Sequence, residues 1–229
     1  MSVAPTPARR IVLLVGAVGA GKGTQAEILS RELGLPHLAS GDLFRQALRD
    51  GTSVGDQARQ YMERGELVPD EITIAMFMER LAQPDAARGA ILDGFPRTVG
   101  QAEALDETLA GHGERIWRVI FIDVPTEEII RRVAGRFQCP TCGTTYHASH
   151  DRPKVEGTCD NDGTPLVQRD DDRPEVVRAR LEKQVPPMLA VIDHYEARGV
   201  VDRVDGTQEI DAVTDSIMRD LRAPSSEVR

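Results

Sequence analysis

The sequence predicts an α/β fold, a parallel sheet with helices on both faces. Three observations lead there. Short apolar runs recur at 11–16 (IVLLVG), 89–93 (GAILD), 118–124 (RVIFIDV) and 199–204 (GVVDRV). The segments between them carry helical patterns, so strand and helix alternate. The first run also breaks directly into a glycine-rich turn that opens a helix. Alternation of this kind makes parallel strands covered on both faces, with ligands gathered at the carboxyl ends of the strands. Residues just after each run are therefore where chemistry is expected. A chain of 229 residues can bury one main core, with room for inserted segments.

Composition narrows the classes of function. No apolar run approaches the roughly 20 residues of a membrane helix, and MSVAPTPARR lacks the apolar stretch of a secretory signal, so a soluble cytoplasmic protein with no membrane partner is expected. A net charge of −9 argues against general affinity for nucleic acid, so any polyanion must meet a local basic cluster. Among 28 basic residues, 25 are Arg and three are Lys (Lys22, Lys154, Lys183), which makes the lysine in the glycine turn more informative. Three cysteines, a CxxC pair plus one, suit a reducing compartment and metal binding better than disulfides.

Taken in order, the first run leads into GAVGAGKGT, which satisfies GxxxxGK from Gly16 to Lys22. Its N–H groups can turn toward phosphate oxygens, the helix N-terminus adds positive potential, and Lys22 can bridge the β- and γ-phosphates. A plain strand-to-helix turn is the bland alternative, and the strand–turn–helix context favours phosphate. Gly23 follows Lys22 and Thr24 comes next, so the hydroxyl for Mg2+ is offset by one from the commonest pattern. Residues 39–68 read as short helices punctuated by Gly41, Gly51, Gly55 and Gly65, an insertion able to move that offers Ser40, Asp42 and Arg45.

The run at 89–93 ends on Asp93 in ILDGFPRTVGQ, where a carboxylate can hold water on Mg2+. Gly94 permits close backbone approach, and Arg97 and Gln101 fall on the turn and helix that follow. After the run at 118–124, a helix from near Thr126 is expected to carry Arg132 and Arg136 on one face. Residues 136–172 hold the cysteines, several prolines and RDDD, a second insertion able to move. RPEVVRARLEKQV then starts a helix, with Asp172 as N-cap, Pro174 in the first turn and Glu175 completing a capping-box-like pattern. Both chain ends are expected to fray.

Each arginine alone is compatible with a solvated surface. Together, Arg45, Arg97, Arg132, Arg136, Arg169 and Arg180 supply what transfer between two phosphate chains requires, because donor and acceptor anions repel and Mg2+ neutralises only part of the charge. No nucleophile–base pair is needed, since an acceptor phosphate already carries a charged oxygen. His37, His112 and His194 read as structural or solvated, and Trp117 and the methionines as core. CPTC at 139–142 and CDND at 159–162 form two knuckles that could wrap one tetrahedral Zn2+ through Cys139, Cys142 and Cys159. The fourth ligand is open among Asp162, His147, His150 and Asp160. Four protein ligands would leave no open position and make the metal structural.

GAVGAGKGTQ, SGDLFR, LDGFPRT, RRVAGR, QRDDD with VRARL, and VDGTQ resemble the adenylate kinases in order and spacing, over nearly the whole chain from Arg10 to Leu221. The resemblance implies a P-loop NTPase sheet with an AMP-binding helical insertion and a zinc-bearing lid insertion. The core would be 1–38, 69–135 and 173–229, the AMP-binding segment 39–68 and the lid 136–172. It implies ATP + AMP ⇌ 2 ADP by direct in-line transfer, with Mg2+ as cofactor and a monomer as the working form. Gly19, Ala20, Gly21, Lys22, Gly23, Thr24, Arg132, Arg136 and Gln208 resemble the ATP site. Ser40, Arg45, Leu67, Val68, Gly94, Arg97, Gln101, Arg169 and Arg180 resemble the AMP site and its phosphate clamps.

Gln101 is chemically apt, because one amide can donate to and accept from an adenine edge. Asp93 resembles the Mg2+-water ligand, Asp171 and Asp172 the pair fixing the lid arginines, and Asp162 the fourth zinc ligand. Two positions depart from the family: Val18 stands where Pro is usual in the loop, and Ser40 where Thr is usual. Neither change removes a charge or a donor, so altered constants and unaltered chemistry are expected. Alternatives are a kinase for another nucleoside monophosphate or one using GTP. A different class, a zinc-ribbon nucleic-acid-binding module with an incidental nucleotide site, is disfavoured by the acidic net charge and the lack of aromatics near the cysteines.

Overall fold

The structure is a computed structural model and describes residues 9–64, 66–148, 151–168 and 172–222. The two tails, Gly65, His150, Arg169 and Asp171 lie outside the described residues. Five parallel strands form the central sheet: β1 (Arg10–Val15), β2 (His37–Ala39), β3 (Gly89–Asp93), β4 (Ile116–Asp123) and β7 (Val201–Asp205), in the order β2-β3-β1-β4-β7. Each pairing among them is parallel.

Central strands of such a sheet lose water on both faces, so they read as continuous apolar runs. In β1, Ile11 and Leu13 join one core with Phe77, Leu92, Leu105 and Tyr195, while Val12 and Leu14 join the other with Leu29, Ile120, Val177 and Ile217. Ile11 to Leu14 are at most 1 % exposed, and each such side chain contributes roughly 1.5–3 kcal/mol relative to water. The first core is covered by α4 (Asp70–Leu81), α5 (Val99–Gly111) and the C-terminal part of α7 (Pro174–Glu196). The second is covered by α1 (Lys22–Leu33), α6 (Thr126–Ala134), the start of α7 and α8 (Ile210–Arg222). α7 runs on through Pro186 and Pro187.

Two stretches leave the sheet. From 40 to 63, α2 (Ser40–Arg49) and α3 (Ser53–Glu63) pack around Phe44, Ala58 and Val68, and the Thr52 hydroxyl caps α3 by accepting from Gly55 N–H at 3.1 Å. From 136, β5 (Arg136–Gln138) and β6 (Thr145–His147) make an antiparallel hairpin over a cluster of Cys139, Tyr146, Cys159 and Leu166.

Several sequence expectations are corrected. β2 is a three-residue strand, too short to show a period, yet it forms the edge beside β3. Arg136 does not share the face of α6: the helix ends at Ala134, and a Cβ on Gly135 would stand 2.6 Å from His147 Nε2, so the chain turns into β5 there. Asp172 is not the N-cap of α7, whose N-cap is Arg173 without a side-chain cap. Asp172 is buried instead and binds Arg136, because a desolvated guanidinium is a stronger partner than a helix N–H.

Candidate active site

The carboxyl ends of the strands meet in one cleft of about 1300 Å3, above the roughly 300–1,000 Å3 of a single small-molecule pocket. Its floor is the turn after β1. Gly21 is the N-cap of α1 with φ 95°, a left-handed conformation open to glycine, and no side chain caps this helix. The first-turn N–H groups therefore remain for an anion, and no acidic residue stands in that turn to compete. Lys22 Nζ donates to Ala17 O at 2.9 Å, folding the lysine back over the turn. Val18, in the place of the usual Pro, packs against the second core, so the loop keeps an apolar anchor.

Charge is concentrated above this turn although the chain is acidic overall. Burial, together with Arg97, Arg136 and Arg180, draws Lys22 down to about 8, with Asp93 opposing. Burial likewise lowers Arg97, helped by Arg180. At the end of β3, burial works to raise the Asp93 carboxyl, but a hydrogen bond from His37 and the charges of Lys22 and Arg97 hold it below the ordinary range. His37 Nε2 lies 3.3 Å from Asp93 Oδ2, so His37 is no solvated bystander. Reading His37 alone missed this, because its partner is on another strand.

Gly94 follows with φ 72°, and a Cβ there would meet Ser40 Oγ at 2.7 Å and Arg97 Nη2 at 2.8 Å. That opening lets Arg97 Nε donate to Gly94 O at 2.7 Å and its Nη2 donate to Ser40 Oγ at 3.0 Å. Ser40 thus retains the hydroxyl function of the usual Thr. Gln101 accepts from Arg97 N–H at 2.7 Å and is 1 % exposed. Arg45 pairs with Asp42 one helical turn away, and Leu67 and Val68 line the same side of the cleft.

On the opposite wall, Arg132 Nε donates to Glu128 at 2.7 Å, an i,i+4 pair readable in the sequence, and hydrogen bonds from Arg131 and Arg132 pull Glu128 down to about 2. Arg136 forms a two-pronged pair with Asp172, Nε to Oδ2 at 2.8 Å, with a second bond to Oδ1. The cleft brings together Gly19, Ala20, Gly21, Lys22, Gly23, Thr24, Ser40, Arg45, Leu67, Val68, Asp93, Gly94, Arg97, Gln101, Arg132, Arg136, Arg180 and Gln208. Arg169 and Asp171 lie outside the described residues.

The cysteine knuckles form a separate centre. One ligand atom from each of Cys139, Cys142, Cys159 and Asp162 lies within 4.8 Å of the others, a set that could hold a metal ion. Cys142 Sγ is 3.5 Å from Cys159 Sγ, and Cys139 Sγ is 3.3 Å from Asp162 Oδ2. Hydrogen bonding from Thr144 draws the Cys142 thiol down to about 7, and backbone bonding from Thr164 holds the Asp162 carboxyl low. The rivals face elsewhere: His147 Nε2 bonds Arg132 O at 2.9 Å, and Asp160 accepts from Lys154 N–H at 2.8 Å. An aromatic does stand beside the cysteines, contrary to expectation. Tyr146 is 5 % exposed and its hydroxyl reaches Cys159 Sγ at 3.6 Å, so its ring is buried and offers no stacking platform.

Comparison with known proteins agrees with this geometry. The family model for adenylate kinase matches residues 14–200. An adenylate kinase of Staphylococcus epidermidis is 45 % identical over 207 residues, covering 90 % of this chain and 96 % of that protein. An adenylate kinase of Oceanobacillus iheyensis is 46 % identical over 206 residues with the same coverage, and one from Staphylococcus aureus is 45 % identical over 207. With a parallel sheet, a glycine turn over Lys22 and likeness along nine-tenths of its length, this chain belongs to the adenylate kinase family.

Proposed function

We infer that the chain is an ATP:AMP phosphotransferase, catalysing ATP + AMP ⇌ 2 ADP. The observation that carries this is the crowding of Lys22, Arg97, Arg136 and Arg180 around a cleft in which Asp93 opposes their field. Like charges desolvated together are costly, and phosphate chains relieve that repulsion; a site so arranged is strained without anions and satisfied by two of them.

In our assignment, Gly19, Ala20, Gly21, Lys22, Gly23 and Thr24 hold the ATP phosphates, with Arg132, Arg136 and Gln208 on the same nucleotide. Ser40, Arg45, Leu67, Val68, Gly94, Arg97 and Gln101 hold AMP. Arg180, with Arg169, spans the transferred group, and Asp171 and Asp172 fix the arginines of the lid. Adenylate kinases use Mg2+ with ATP, and Asp93 would hold it through water, where it supplies neutralising charge on the phosphates. The chain's own groups position the two anions in line and exclude water, which otherwise would receive the phosphoryl group. Closure of 39–68 and of 136–172 over the core provides that exclusion.

Three soft sulfur ligands and one carboxylate make a four-member set suited to tetrahedral Zn2+, which would fasten the lid hairpin, a segment with too small a core to hold itself. We take the working form to be a cytoplasmic monomer. Among the described residues no helix is long and apolar enough to cross a membrane.

The test is a coupled ADP-production assay with ATP and each of AMP, CMP, UMP and GMP, plus a blank without acceptor. Turnover with AMP supports the reading. ADP formation in the blank alone makes the protein an ATPase, and turnover only with another monophosphate moves the specificity.

A further inference from the structure

Gln101 does not hang freely in the cleft. Its Oε1 accepts from Arg97 N–H at 2.7 Å, and its Nε2 donates to Asp70 Oδ1 at 2.7 Å. The other carboxylate oxygen of Asp70 accepts from Thr98 Oγ1 at 2.7 Å, while that hydroxyl accepts from Gln101 N–H at 3.1 Å as the cap of α5. Gly100 leaves room for this approach, since a Cβ there would come within 3.3 Å of Asp70 Oδ2. The start of α4 is thus tied to the start of α5 through one carboxylate.

These contacts dictate which way the amide faces. A carboxylate is an acceptor only and a backbone N–H is a donor only. Turning the amide over would set oxygen against carboxylate at one end and N–H against N–H at the other, in a side chain 1 % exposed where water cannot repair the loss. Each amide atom keeps one further bonding capacity, an N–H and a lone pair, whose order is now fixed. Adenine offers an acceptor at N1 and a donor at its 6-amino group; hypoxanthine offers a donor at N1 and an acceptor at O6. An amide free to turn over serves either base, and a locked one serves only the first.

Resting on the reading that Gln101 faces the acceptor base, we propose that Asp70 is the positioning residue that locks the Gln101 amide and so makes the acceptor site selective for a 6-aminopurine over a 6-oxopurine monophosphate.

The experiment measures kcat and KM for AMP and for IMP, with saturating MgATP, in the parent and in Asp70→Ala, Asp70→Asn, Gln101→Ala and Asp70→Ala/Gln101→Ala. Asp70→Ala is expected to lower the AMP:IMP ratio of kcat/KM by about tenfold or more, largely through KM for AMP, with KM for ATP little changed. Asp70→Asn retains an acceptor oxygen toward Gln101 and is expected to keep most of the ratio. On the Gln101→Ala background, Asp70→Ala should change the ratio no further.

If Asp70→Ala reduces AMP and IMP turnover in equal proportion, Asp70 only supports the start of α4 and the proposal is overturned. A collapse of the ratio in Gln101→Ala but not in Asp70→Ala overturns the role of Asp70 alone. An unchanged ratio in Gln101→Ala overturns the reading of Gln101 itself, and the lock with it. Should the alanine variant not fold, Asp70→Leu removes the acceptor while keeping the same branching of heavy atoms and is read in the same way.

Discussion

Replacing Lys22 by Met separates what the lysine costs the fold from what it does for phosphate. Burial first, and then three guanidiniums, bring its pKa from 10.5 to about 8, with Asp93 partly opposing. Below about pH 8 the folded and unfolded chains both carry the proton, and the folded state bears the whole penalty. Between about 8 and 10.5 the unfolded chain holds more protons, so stability rises with pH; above that window the penalty is gone. At 1.36 kcal/mol per pKa unit the full shift corresponds to about 3 kcal/mol. Lys22 is partly open to the cleft, and solvent screening reduces this to about 1–2 kcal/mol.

Met removes the penalty and also the bond to Ala17 O, worth about 1 kcal/mol. The nucleotide-free Lys22→Met variant should therefore equal the parent or exceed it by up to about 1 kcal/mol at pH 7. From pH 7 to 10.5 the comparison should move toward the parent by about 1–2 kcal/mol. Phosphoryl transfer should fall by about a thousandfold. Urea denaturation across that pH range, with a coupled ADP assay, reads both effects. A stability difference that does not change with pH, or near-normal turnover in the folded variant, refutes the reasoning.

Arg97→Ala removes the guanidinium that joins Gly94 O to Ser40, and kcat/KM for AMP should drop by about a hundredfold or more while KM for ATP moves far less. Asp172→Ala leaves Arg136 without its carboxylate; because Arg136 is 19 % exposed and Asp172 fully buried, the loss by denaturation should be about 2–3 kcal/mol, below that of a wholly buried pair. Chelation should lower the melting temperature more than it lowers activity measured below that temperature; complete loss of activity without unfolding would make the metal catalytic instead of structural.

Signals carried within a few neighbouring residues were legible from the amino-acid order. Four sheet strands announced themselves as apolar runs, the turn after β1 as glycines followed by Lys22, and the cluster of Cys139, Cys142, Cys159 and Asp162 as paired knuckles, since each property is held in one short window. β2 escaped because three residues show no period, and the end of α6 before Arg136 because only the packing of Gly135 against His147 reveals it.

Partnerships between distant residues were decided elsewhere. His37 meets Asp93, Asp172 meets Arg136 instead of capping α7, and Asp70 meets Gln101 across separations of 56, 36 and 31 residues. The sequence by itself determined the sheet, the glycine turn that opens α1 and the stock of cations. Only the tertiary structure decided that His37 meets Asp93, that Asp70 meets Gln101 and which way the amide of Gln101 faces, because those choices arise from desolvation and from donors and acceptors that meet only when separate helices and strands are packed together.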